Sequence, residues 1–202
     1  MMTSQEVLYY FLENAHPYFK KLKKIADREQ ISIIADPQEN FAISPDGEKI
    51  MIGWFMEDAR EENGGEFKIG APIRAILFML SRMPISKMND FLEHQIAILA
   101  HELSHVFDYK RRGVSDGRIY PGICPFSLKN PCLLKEVRAS LYAKEILKEV
   151  VSEEDLPRFI EILKNSAKEY FNSSMYDFCH NVDGEICNKN LIEEELKKFF
   201  EK

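Results

Sequence analysis

Apolar positions first recur at helical spacing between Ser4 and Arg28, where Val7, Tyr10, Phe11, Phe19 and Leu22 suggest one buried face. Pro17 lies inside this stretch, so the helix should kink or split there. Three short strands are expected next, over Ile31–Ala35, Phe41–Ser44 and Lys49–Phe55, and Pro45-Asp46-Gly47 between the last two is a turn signal. The acid-rich segment Glu57–Glu66, with Gly64-Gly65, reads as a solvated mobile loop. Pro72–Met83 reads as an apolar helix buried on most sides, through Ile73, Ile76, Leu77, Phe78 and Leu80, and Pro84 ends it.

A second helical pattern spans Phe91–Tyr109, with Ser86 or Asn89 available as N-cap and Gly113 as stop signal. Its stripe is Leu92, Ile96, Leu99, Leu103, Val106 and Phe107, while His101, His105 and Asp108 fall on a more polar face. Residues 113–131 carry Gly and Pro throughout and predict a long irregular connection, a length often associated with function. Helices are expected over Leu133–Val150, over Ser152–Phe171 with Ser152 as cap, and over Leu191–Phe200. The expected fold class is α+β, a mainly helical single domain over 1–202 with a small antiparallel sheet.

Composition narrows the function classes. The 202 residues are 45% hydrophobic and 30% charged, ordinary values for a soluble globular chain long enough for one sizeable core. A net charge of −6 argues against nucleic acid as the main partner, because phosphate binding needs a basic face. No apolar run approaches a membrane span and the N-terminus lacks a signal-peptide pattern, so the expectation is cytoplasmic with no membrane partner. The pairs Cys124/Cys132 and Cys179/Cys187 could each close a short disulfide loop, contributing about 2–3 kcal/mol. Reduced thiols suit a mesophilic cytosol and disulfides a hyperthermophile, and a four-thiolate zinc site lacks any Cys-x-x-Cys knuckle.

The chemistry is concentrated in His101-Glu102-Leu103-Ser104-His105. Two histidines four residues apart on a helix stand one turn above the other, so both imidazoles can reach one metal ion. Glu102 is offset around the helix, where its carboxylate can take a proton from water without being a ligand. The pattern points to Zn2+ as cofactor, and hydrolytic zinc needs a third protein ligand with one position left open. Glu136, near the start of a helix and after a connection long enough to return across the metal, is the best candidate. Ala139 nearby would permit close approach of the two helices. A first-turn glutamate would equally suit the positive end of the helix dipole. Asp108 lies on the same straight helix and would have difficulty reaching the same ion, while the residues around Cys124 leave its geometry unconstrained. A metzincin continuation fails, since Asp108 and Arg111 stand where a glycine and a third histidine are required. Peptide deformylase is disfavoured because every cysteine follows the histidine pair.

With His101-Glu102-x-x-His105 and a downstream glutamate, the chain resembles the gluzincin zinc metallopeptidases, in particular minigluzincins and ImmA/IrrE-type proteins, over roughly residues 49–149. The resemblance implies His101, His105 and Glu136 as metal ligands, Glu102 as general base, a peptide or protein substrate, and a zincin-like packing of the active-site helix against a backing helix and a glutamate helix. The strand Lys49–Phe55 would form the cleft rim. Many gluzincins place an aspartate where this chain has Ser140, which accepts the same hydrogen bond without adding charge. For the oxyanion, His180 is favoured over Tyr120, Tyr142 and Tyr176 because it sits in the polar segment Asp177–Glu185. Cys179, His180 or Asp183 could also supply a fourth ligand and hold the enzyme latent, as in some minigluzincins. The alternative expectation is a weakly active or latent metalloprotein that acts by partner recognition, as ImmA/IrrE-type regulators suggest.

Overall fold

The structure, a computed structural model, describes residues 2–35, 42–43, 50–51, 56–58, 67–112, 133–172 and 197. Its contacts form two compact units, Met1–Glu102 and Leu103–Lys202.

In the first unit Pro17 does split the opening helix. Helix α1 spans Ser4–Asn14 and α2 spans Pro17–Arg28, with Pro17 at the first helical position, where its missing N–H costs nothing. Each start is capped by a side chain. Thr3 and Glu6 form a reciprocal capping box on α1, and the His16 ring accepts the Tyr18 N–H on α2 at 3.3 Å. The two helices pack through Phe11 and Phe19, whose tilted rings lie 5.0 Å apart, with Leu8, Leu12 and Leu22 fully buried around them. Gln30, at φ 59°, turns the chain from α2 into β1.

Strand β1 covers Ile31–Ala35 as expected. Strands β2 (Ala42–Ile43) and β3 (Ile50–Met51) pair antiparallel on either side of the Pro45-Asp46-Gly47 turn signal. Strand β4 (Met56–Asp58) starts just before the segment expected to be a loop and takes in its first two residues, which corrects that expectation there, and β5 (Phe67–Ala71) follows the segment. The expectation of an antiparallel sheet is corrected. The three-stranded sheet has the order β1-β5-β4; β1 and β5 run parallel from Ile31↔Phe67 to Ala35↔Ala71, and only β4 lies antiparallel on β5. The cause is non-local. Neighbours joined by a short turn are antiparallel, but β1 docks on a strand that is reached only after three others. Ile69 and Ala71 of the central strand are fully buried.

Helix α3 (Ile73–Arg82) packs on α1 and buries Ile73, Ala75 and Ile76. Burial on most sides is corrected: Leu77 is 38% exposed, and Arg82 lies over the Phe78 ring at 4.2 Å. Helix α4 runs for 28 residues, Ile85–Arg112, between Pro84 and Gly113, with neither proline nor glycine inside it. Its early start corrects the expected caps. Ser86 and Asn89 are inside the helix, and the first turn is closed by the Lys87 N–H donating to the Pro84 carbonyl at 2.9 Å.

In the second unit α5 covers Leu133–Val150, as the pattern predicts, and α6 covers Leu156–Asn172. The two helices pack together, with Ala143, Ile146, Leu147, Phe159 and Leu163 buried. Ser152 opens a turn rather than the helix itself: its hydroxyl accepts from the Asp155 N–H at 3.2 Å, and its carbonyl accepts from the Leu156 N–H at 3.0 Å. Among the described residues the chain is thus mainly helical, with six helices and two small sheets. No described helix is long and apolar enough to cross a membrane. The expected helix Leu191–Phe200 lies outside the described residues except at Lys197.

Candidate metal centre

The central turns of α4 carry the site. Ile96, Leu99, Leu103 and Val106 are fully buried, as the apolar stripe requires, and Ala97 and Ala100 fill adjacent positions. Leu92 and Phe107, at the two ends of the stripe, are half-buried. The polar residues of these turns are not solvated either. Gln95 and Ser104 are at 0% exposure, His105 at 2% and His101 at 9%. A helix surrounded in this way buries polar groups, each of which carries a desolvation penalty.

Within that buried stretch, His101, Glu102 and His105 each offer a ligand atom, and these atoms all lie within 4.8 Å of one another. The one-turn rise of the helix places the two rings on the same side. Glu102 is half-buried, less so than either histidine. The donor set suits zinc: two nitrogens at about 2.0–2.1 Å from one ion fit inside this span, with an oxygen donor beside them.

Helix α5 puts Glu136 in its first turn, as expected, and the side chain of Glu136 lies outside the described residues. One turn later Ala139 and Ser140 are buried, at 0% and 1% exposure. Tyr142 is half-buried on the same helix. The side chain of Asp108 also lies outside the described residues, as do His180, Tyr120, Tyr176, Asp183 and all four cysteines.

Sequence reasoning missed Gln95. This fully buried amide stands roughly two turns before Glu102 on the same side of α4, and neither Nε2 nor Oε1 has a hydrogen-bond partner among the described residues. Its signal was weak, since glutamine is an ordinary helix residue whose burial depends on what packs around it. No family model, curated protein or solved structure matches this chain.

Proposed function

We propose that this protein is a zinc-dependent metallopeptidase, in which His101, His105 and Glu136 hold the metal and Glu102 is the general base. The observation that carries this reading is the grouping of His101, Glu102 and His105 within 4.8 Å on a buried stretch of one helix. Zinc, when bound, supplies an acidified water and polarises the scissile carbonyl. The histidines donate nitrogen lone pairs from rings held in register by the helix. Glu102 takes a proton from the attacking water and delivers it to the leaving amine as the C–N bond breaks. Glu136 is proposed as third ligand because α5 starts just before it, so a carboxylate stands at a helix start after the long connection. Ser140, buried one turn on, is the residue proposed to orient a ligand by hydrogen bonding. This reading carries with it the zincin-like arrangement of helices around the metal and His180 as oxyanion donor.

A second reading, a latent metalloprotein acting through a partner, draws support from the exposure of the histidines, only 9% and 2%. One experiment separates the two. Zinc content and peptide-library hydrolysis are measured on the wild type, His101→Ala and Glu102→Gln. The expected result is about one zinc per chain in the wild type and in Glu102→Gln, with loss in His101→Ala. Hydrolysis should be confined to the wild type, with Glu102→Gln reduced by at least about 100-fold. Zinc without any hydrolysis favours the second reading, and a wild type that binds no zinc overturns both.

A further inference from the structure

Among the described residues, strand β1 is an outer strand of its sheet, with β5 on one side only. Its other edge is met by a side chain. Gln5 of α1 donates from Nε2 to the Ile33 carbonyl at 3.0 Å, and its Oε1 accepts the Ala35 N–H at 2.8 Å. These two bonds also fix which way the amide faces, since only oxygen can accept from Ala35 and only nitrogen can donate to Ile33. A residue of a neighbouring parallel strand bonds in this manner, donating to the carbonyl before its opposite number and accepting from the N–H after it. The Gln5 amide therefore stands opposite Ile34 in place of a strand's peptide group. Its helix start is anchored twice. Thr3 and Glu6 cap it, through bonds of 2.6 and 3.2 Å, and Arg74 of α3 donates to the Ser4 hydroxyl at 3.2 Å.

An edge strand left open is a template for another chain, and proteins blunt such edges with charge, proline or bulges. The run Ile31-Ser32-Ile33-Ile34-Ala35 contains none of these: it is uncharged, lacks proline and glycine, and is rich in β-branched residues. We propose that Gln5 is an edge guard, whose amide occupies the outer edge of β1 and prevents its pairing with β1 of a second copy of this chain. A second copy is the natural occupant. The run is complementary to itself, and a two-fold axis lets the two strands pair antiparallel with every exposed group matched. This inference does not depend on the metal centre.

The test uses the full chain with Gln5→Ala, which suits a helix, and Gln5→Leu, which restores the volume without the amide. Both are compared with the wild type by sedimentation over a range of concentrations and by amide exchange at Ala35. The expected result is exchange at Ala35 faster by about tenfold at low concentration, as for loss of one hydrogen bond. Association should rise with concentration, and Gln5→Ala combined with Ala35→Pro, which removes the outward N–H, should cancel it. Wild-type sedimentation and exchange in whichever variant keeps the native circular dichroism overturns the proposal. Association that survives Ala35→Pro overturns it as well, because it then arises elsewhere. Loss of the fold in both single variants at low concentration also overturns it, since a guard is dispensable to an isolated chain.

Discussion

Gln5 and Gln95 are the same residue in two helices of the same unit, and they sit in opposite circumstances. Gln5 is half-buried at the start of α1, and both ends of its amide are bonded to β1. Gln95 is wholly buried in α4, and neither end has a hydrogen-bond partner among the described residues. Around Gln5, polar side chains serve the fold: Thr3 caps α1, His16 caps α2, and Arg74 ties α3 to Ser4. Around Gln95, α4 carries Ser104 and both histidines into the interior. Burying an amide without a partner costs about 1–3 kcal/mol. Among the described residues, the polar groups at the start of α1 are thus bonded into the fold, whereas the Gln95 amide of α4 is buried without such a bond.

The contrast breaks most visibly with metal. If the α4 polar groups exist to bind zinc, adding zinc at about 1,000 times its dissociation constant should stabilise the wild type by about 4 kcal/mol. His105→Ala should show no such gain in thermal unfolding with and without zinc. An equal gain in that variant would place the metal elsewhere. Next in size is Gln95→Met, which keeps the volume and removes the amide. It should stabilise the chain by about 1–3 kcal/mol in urea unfolding. Destabilisation would mean that the amide is satisfied, by a buried water, a ligand or a residue outside the described ones, and the contrast with Gln5 would disappear.

Thr3→Ala tests the other side of the comparison. Loss of the capping box should cost about 1 kcal/mol, read as a shift in the denaturation midpoint. The smallest effect concerns pH. The backbone N–H of Thr3, then its hydroxyl, bond to the Glu6 carboxylate and hold its pKa below the ordinary value of 4.5. A carboxylate with a lowered folded pKa stabilises the protein above the unfolded value and loses that contribution as pH falls through the folded one. The wild type should therefore lose stability between about pH 5 and the acid range more steeply than Glu6→Gln. The group is fully exposed, so parallel acid titrations of the two proteins would remove Glu6 from the account.

Several elements were legible because their causes are local. Pro17 split the first helix, the absence of proline and glycine from 85 to 112 allowed α4, and periodicity marked α5 at its observed bounds. The extent of α4 was misjudged because Ser86 and Asn89 are strong cap formers that here lie inside a helix begun after Pro84. Strand β5 was overlooked although Phe67, Ile69 and Ala71 alternate at strand spacing, since five residues beside an acidic segment give a weak pattern. For the candidate site, the spacing of His101, Glu102 and His105 was sufficient to predict their grouping. A single helix converts sequence separation directly into geometry.

The sequence by itself determined what the peptide backbone decides over a few residues: where helices break, the pairing of β2 with β3 on either side of a Pro-Asp-Gly turn signal, and three chemically competent side chains on one turn of α4. Tertiary structure alone decided which partner each surface meets. It set β1 parallel to β5, laid the Gln5 amide along the edge of β1 away from β5, and buried the polar side of α4 together with Gln95. The reason is that hydrogen-bond direction and burial depend on groups brought together from distant parts of the chain, and no local periodicity encodes which of them will be neighbours.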